Sequence, residues 1–209
     1  MKNPITQVRN LTICILLIIV PRSFAVENIY SGIDLGLTHF SGDGPADTQI
    51  FQKGQHFSDS HFDYGIHVGY QITDWLAVEL AYTDFGRGTQ KFKISRDVVF
   101  VGKPTDTQTI EANALSISAM FNHEITESFS AFGLLGIASM NYESTLSGGF
   151  SEVTGNLFSK NAYADQGIIY GVGLKCKMTD ALGLRADLRR NDVGDFVLDS
   201  ATIGIEYSF

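Results

Sequence analysis

The chain has 209 residues, of which 44% are hydrophobic, 11% aromatic and only 18% charged, with 21 glycines, two cysteines and a formal net charge of −8. One domain or two small ones fits this length, the glycine and aromatic content excludes a disordered chain, and two cysteines exclude a disulfide-built scaffold. The acidic balance argues against a nucleic-acid binder, and a mean hydropathy of +0.05 excludes a bundle of membrane helices but not other membrane architectures.

Residues 1–25 read as a secretory signal peptide. Lys2 and Arg9 make a positive start, Leu11 to Val20 is apolar apart from Thr12, and Pro21 ends the run. Ser23 and Ala25 then supply the small residues of a cleavage site. The run is shorter than the roughly 20 residues of a membrane-spanning helix, which disfavours an uncleaved anchor. It continues past Cys14, which disfavours lipidation there. Removing 1–25 takes away three bases and no acid, so the expected mature chain, 26–209, stands at −11 with Cys176 as its one cysteine.

From there the chain reads in twos, as strands with one apolar face. Ile33, Leu35 and Leu37 alternate with Asp34, Gly36 and Thr38. Over 64–72, Tyr64, Ile66, Val68, Tyr70 and Ile72 stand against Gly65, His67, Gly69 and Gln71. Over 75–83, Leu76, Val78, Leu80 and Tyr82 stand against Ala77, Glu79, Ala81 and Thr83. Leu115, Ile117, Ala119 and Phe121 continue the series. Residues 129–142 are apolar on both faces in part, so their faces stay unassigned. Over 168–178 the apolar set opposes Gly171, Gly173, Lys175 and Lys177; over 182–189 it opposes Gly183, Arg185, Asp187 and Arg189. The last strand sets Ala201, Ile203, Ile205, Tyr207 and Phe209 against Thr202, Gly204, Glu206 and Ser208.

Eight strands of about 10 residues suit a membrane crossing. The connections alternate: long near 40–60, 86–110 and 143–162, short at Thr73-Asp74, Glu124 to Ser128 and Thr179 to Ala181, with a short outer one at Asn191 to Phe196. Short turns on one side and long loops on the other mark an outer-membrane barrel. Tyr64, Tyr70, Trp75, Tyr82, Phe121, Tyr170 and Tyr207 fall where aromatic girdles belong. A soluble periplasmic barrel or sandwich shares the alternation. Charges sharing a face with glycines, girdles on the apolar face and a strand running to a terminal aromatic favour the membrane. The predicted fold is all-β: an eight-stranded antiparallel up-and-down transmembrane β-barrel.

The stretches Asp63-Tyr64-Gly65 through Val78-Glu79-Leu80-Ala81-Tyr82-Thr83-Asp84-Phe85-Gly86, and Gly171-Val172-Gly173-Leu174 through Gly183-Leu184-Arg185-Ala186-Asp187, resemble the OmpA-like outer-membrane barrel domain. The resemblance covers 26–209. It implies that the barrel-assembly machinery reads the terminal Tyr207 and Phe209, and that Glu79 and Arg185 match a lumenal carboxylate and arginine acting as a gate. Larger members of the family continue into a peptidoglycan-binding domain, and no such segment follows the last strand here, so a wall-anchoring role is not carried over.

An eight-stranded barrel is just wide enough for its own side chains. The inward set includes Asp34, Glu79, Asp187 and Glu206 with Lys175, Lys177, Arg185 and Arg189. Unpaired, each charge would cost several kcal/mol, so a paired network that plugs the lumen is expected. A narrow gated pore is the alternative. Function in such barrels sits on loops. The 86–110 segment carries Arg87, Lys91, Lys93, Arg96 and Lys103 against Asp97 and Asp106, a basic patch in an acidic chain. It predicts a hairpin extending past the membrane with Lys91 and Lys93 on one face, suited to lipopolysaccharide phosphates or host polyanions. A solvated edge guarded by lysine is the simpler reading.

Two further patterns are weak. His56, Asp59, His61 and Asp63 have no metal-site spacing, and a polar loop explains them. The pairs His39/Ser41 and His56/Ser58 raise a lipid A hydrolase, with no acid partner in view. The sequence therefore predicts a monomeric, structural, surface-interacting barrel without catalysis, metal or cofactor. Its expected partners are outer-membrane lipid and lipopolysaccharide, the assembly machinery and host surface molecules, but no nucleic acid.

Overall fold

The computed structural model describes residues 28–43, 56–92, 106–148, 157–194 and 196–209; the expected signal peptide and the middles of the three long connections lie outside these residues. Eight strands follow in order: β1 (Ile29–Asp43), β2 (His56–Thr73), β3 (Leu76–Phe92), β4 (Asp106–Glu124), β5 (Phe129–Gly148), β6 (Leu157–Lys177), β7 (Leu182–Val193) and β8 (Phe196–Ser208). Each pairs antiparallel with its neighbours in sequence, and β1 pairs with β8, closing the barrel.

The alternation decides which side chains face out. Leu35, Leu37, Tyr64, Leu80, Leu115, Ile137, Val172, Leu188 and Ile203 are exposed around one level of the outer wall. A water-soluble barrel would bury such a belt, so this surface is built for lipid. The girdle aromatics Tyr64, Tyr70, Trp75, Tyr82, Phe121 and Tyr170 point outward with it. Trp75 stacks on Phe121 at 6.3 Å beside the short turns. At the closing seam the Phe209 N–H donates to the Ile29 carbonyl, and Tyr207 meets Phe209 edge-on at 5.0 Å.

The ladders run well into the expected loops. The β5–β6 register continues from Ile137↔Ile168 at the top of the belt to Gly148↔Leu157. The β3–β4 register continues past a bulge at Asp84/Arg87, where Gly86 takes φ 75°, to Phe92↔Asp106. A strand of 20 or 21 residues is about twice what a membrane crossing needs. The hairpins therefore project beyond the belt, and Asp59, His61 and Asp63 lie on β2 rather than in a loop.

The lumen is layered. Tyr30, Ala77, Met120, Phe132 and Leu134 are buried toward the short turns, and Phe40, Phe85, Ile110, Met140, Val193 and Leu198 toward the long connections. Charged and polar side chains fill the layer between them. This settles β5. Phe132, Leu134, Ala138 and Met140 face in, while Phe129, Leu135 and Ile137 face out. Both faces read apolar because the lumen itself is apolar at its two ends.

Candidate functional site

The middle layer is one connected network of charges. Arg185 on β7 crosses the lumen to Glu79 on β3, with Nη1 donating to Oε2 at 2.6 Å and Nη2 to Oε1 at 3.2 Å. Its Nε donates to Asp187 at 2.9 Å. Asp187 also accepts from Arg189 and from the Thr202 hydroxyl, and Arg189 continues to Asp34 at 3.3 Å. On the side of the short turns Lys175 pairs with Glu206 at 2.9 Å and sits over the Tyr30 ring, 4.5 Å from its centre. The Arg185 side chain has no solvent exposure. Buried charges persist only when paired and hydrogen-bonded, and Arg185, Glu79, Asp187 and Arg189 meet both conditions.

Two members were absent from the sequence expectation. His67 Nδ1 lies 2.9 Å from Asp34 Oδ2, and its Nε2 lies 3.6 Å from Glu206 Oε2, so the ring links carboxylates on β1 and β8. The Tyr30 hydroxyl donates to Glu79 at 3.2 Å. Glycines make the room. A Cβ at Gly32 would stand 2.5 Å from the His67 ring, and one at Gly69 would stand 2.0 Å from the Tyr30 ring. The sequence held the signal for His67: a bulky polar residue between Gly65 and Gly69 on the face that also carries Glu79.

A closed eight-stranded wall, an apolar belt and a charge-filled lumen together define a class of protein. The family model for the OmpA-like transmembrane domain matches residues 24–209. The chain belongs to the OmpA-like transmembrane domain family. It is a protein of the Gram-negative outer membrane. It is 30% identical over 116 residues to outer membrane protein P5 of Haemophilus influenzae, a match covering 54% of this chain and 30% of that protein. Its fold is similar to that of OprG from Pseudomonas aeruginosa, at TM-score 0.56 and 14% identity, covering 88% of this chain and 96% of that one. It is also similar to Ail, the attachment invasion locus protein of Yersinia pestis, at TM-score 0.50 and 15% identity, covering 87% and 99%.

The OmpA-like chain places the remaining expected residues differently. Lys177 is not part of the lumenal network. Its strand has reached the rim, and its side chain, about half exposed, pairs with Asp180 in the turn at 3.0 Å. Arg87 stands on the β3 projection and meets Glu111, its register partner on β4, so its charge is already matched. Lys91 holds a ladder position opposite Thr107. Lys93, Arg96 and Lys103 lie outside the described residues.

The His/Ser and His/Asp patterns make the following contacts. His39 is served not by Ser41 but by β2: its Nδ1 is 2.9 Å from Ser60 Oγ and its Nε2 is 3.5 Å from Ser58 Oγ. Ser41 donates instead to the Val197 carbonyl. Asp199 is His39's register partner on β8, yet both its oxygens accept from Arg190, at 2.6 and 2.7 Å. Among the described residues no carboxylate hydrogen-bonds to His39, and β1 is laddered on both sides. The His56 side chain lies outside the description. Asp59 contacts His61 at 2.7 Å and Asp63 accepts from Thr38. Among the described residues no three histidine, cysteine or acidic side chains converge as metal ligands.

Proposed function

We propose that this OmpA-like barrel works as a closed, non-catalytic wall element that presents rigid strand ends to other molecules at the cell surface. The observation that carries the reading is the continuation of paired strands past the belt, to Gly148↔Leu157 and Phe92↔Asp106. A laddered projection holds its side chains in fixed rows, which suits recognition, while the buried Arg185 network blocks the way through.

The basic 87–103 segment is the proposed contact for polyanions, whether lipopolysaccharide phosphates or host glycosaminoglycans. Ail, of similar fold, has been captured with the heparin analogue sucrose octasulfate, so the architecture is compatible with such contact. Tyr207 and Phe209, on the closing strand, are the proposed signal for the barrel-assembly machinery. The barrel is proposed to act as a monomer. The test is binding of the refolded protein to heparin and to lipopolysaccharide across a salt series. Lys91→Glu/Lys93→Glu is expected to weaken salt-sensitive binding, and unchanged binding would remove the polyanion contact. Deletion of 87–107 in cells separates adhesion from envelope integrity.

A gated pore is the second reading. Arg185 has Glu79 in bidentate contact and Glu206 at 3.9 Å, a second carboxylate within reach of a rotamer change. Planar-bilayer recordings that give no conductance steps, in wild type or Glu79→Ala, would end it.

A further inference from the structure

The strands that project beyond the belt form a sheet with two edges. β3, β4, β5 and β6 stay laddered to Phe92↔Asp106, Asp106↔Gly148 and Gly148↔Leu157. The pairing of β3 with β2 stops at Tyr64↔Asp84, and that of β6 with β7 stops at Gly167↔Val193. The β3 edge is guarded, because Asp59 on the β1–β2 hairpin accepts the Thr89 N–H at 2.9 Å. On the other side β7 ends at Val193, and among the described residues no strand pairs with that edge of β6 from Leu157 to Gln166.

The phase of the ladder fixes which backbone groups this edge presents. The Lys177 N–H donates to the Ser128 carbonyl at the foot of β5, and the β5–β6 register runs unbroken from Phe129↔Cys176 to Gly148↔Leu157. Bonded and non-bonded positions alternate in an antiparallel pair. Odd-numbered residues of β6 therefore turn their N–H and C=O toward β5, and even-numbered residues turn theirs away. Phe158, Lys160, Ala162 and Ala164 aim theirs off the sheet. The next, Gln166, has its N–H taken by Asp165 Oδ1 at 3.1 Å. Such an edge is a template for a further strand, and neither proline nor bulge interrupts it. Ala162 and Ala164 stand exposed opposite Glu143 and Asn141 of β5. These four residues, with Glu111 and Asn113, line a hollow of about 400 Å³ that has no basic residue in its wall.

We propose that the β6 edge takes up an extended, basic peptide segment of an extracellular protein by strand addition, with a basic side chain of that segment lying over Ala162 and Ala164 toward Glu143. The inference rests on the reading that the strand ends are a rigid recognition surface, and it names the partner. Strand addition draws affinity from main-chain hydrogen bonds and selectivity from alternate side chains. An added strand stands two strand spacings, about 10 Å, from β5. A lysine or arginine on its outer face and a glutamate on β5 together span that distance, with only alanine methyls between them.

The test takes two measurements on the refolded full barrel in a non-ionic detergent. In amide hydrogen exchange, Ser159, Asn161 and Tyr163 are expected to be protected, and Phe158, Lys160, Ala162 and Ala164 to exchange rapidly. Protection of both sets would mean that the chain covers its own edge, and overturns the proposal. Protection of neither would remove the rigid projection on which it rests. In fluorescence anisotropy, a labelled peptide of about ten residues alternating lysine and threonine is expected to bind saturably. The same peptide N-methylated along its length keeps the charge but cannot ladder, and is expected to bind about tenfold more weakly. Glutamate in place of lysine should weaken binding as much, and so should Glu143→Gln with the lysine peptide. Ala162→Pro removes a donor from the open edge and none from the β5 ladder, and is expected to lose about tenfold. If it does not refold, the N-methylated peptide on wild type decides. Asp180→Asn, at the exposed rim, should leave binding intact. No saturable binding, or equal binding of the N-methylated peptide, overturns the proposal. So does an equal loss in Asp180→Asn, which would mean attraction spread over an acidic surface.

Discussion

Arg185 and Glu79, 106 residues apart in sequence, share a two-pronged contact at 2.6 and 3.2 Å that ties β7 to β3 through the centre of the barrel. Neither strand is next to the other in the wall, so the pair is a strut across the lumen. Removing one partner leaves a buried charge unmatched. Arg185→Ala is expected to cost about 3–5 kcal/mol, measured by urea unfolding in lipid vesicles. Arg185→Met combined with Glu79→Leu should cost clearly less than the sum of the two single changes. Additive costs would mean that the two side chains do not act on one another.

The glycine hollows give a packing test. A methyl at Gly69 would overlap the Tyr30 ring at 2.0 Å. Gly69→Ala is expected to destabilise the barrel by about 1–3 kcal/mol, the usual range for overpacking. Tyr30→Ala in the same chain should recover part of the loss by opening the space. If Gly69→Ala refolds with wild-type stability, the ring does not occupy that hollow.

Asp59 offers a pH test on the projecting part of β2, above the belt. Partial burial pushes its carboxyl up. The Thr89 N–H, donating at 2.9 Å, and His61 at 2.7 Å more than offset this and hold it below the ordinary aspartate value. A depressed carboxyl contributes stability above its unfolded pKa of about 3.9, and that contribution disappears as pH falls through the lower folded value. The Asp59–Thr89 tie between β2 and β3 is therefore expected to be intact at neutral pH and to loosen in acid. Amide hydrogen exchange at Thr89, corrected for its intrinsic pH dependence, should lose protection below about pH 4. In Asp59→Asn that step should vanish.

The exposed Arg87–Glu111 pair sits at the base of the proposed polyanion contact. A surface ion pair contributes roughly 0–1 kcal/mol, so Glu111→Gln should barely change stability. It removes one negative charge and releases the guanidinium for an anionic ligand. Elution from heparin is expected to shift to higher salt. Elution at the wild-type salt concentration would mean that this part of the hairpin does not meet the ligand.

Much of the fold was legible in the sequence, because a strand at a lipid boundary must alternate. Leu76 to Thr83 reads apolar out and small or charged in without ambiguity, and so do 64–72 and 201–209. The lumenal members Glu79, Arg185, Asp187 and Glu206 could be named for the same reason. His67 stood in the same pattern, but a lone histidine among glycines carries no mark of which carboxylates it will join. The reach of the strands was less legible. Beyond the belt water lies outside the wall, so the alternation inverts: Phe40, Phe85 and Met140 turn inward and polar residues turn out. A reading tuned to the membrane takes that inversion for loop.

The sequence by itself determined that this is a membrane wall of eight alternating strands with charge on its inner face, since period-two patterning is a local property of the chain. The tertiary structure alone decided how the charges are joined. Barrel closure and register set Arg185 against Glu79, His67 between Asp34 and Glu206, and Lys177 out at the rim. The same closure left Asp63 beside Asp34 across two glycines. Those relations depend on stagger between strands far apart in sequence, which no single strand encodes.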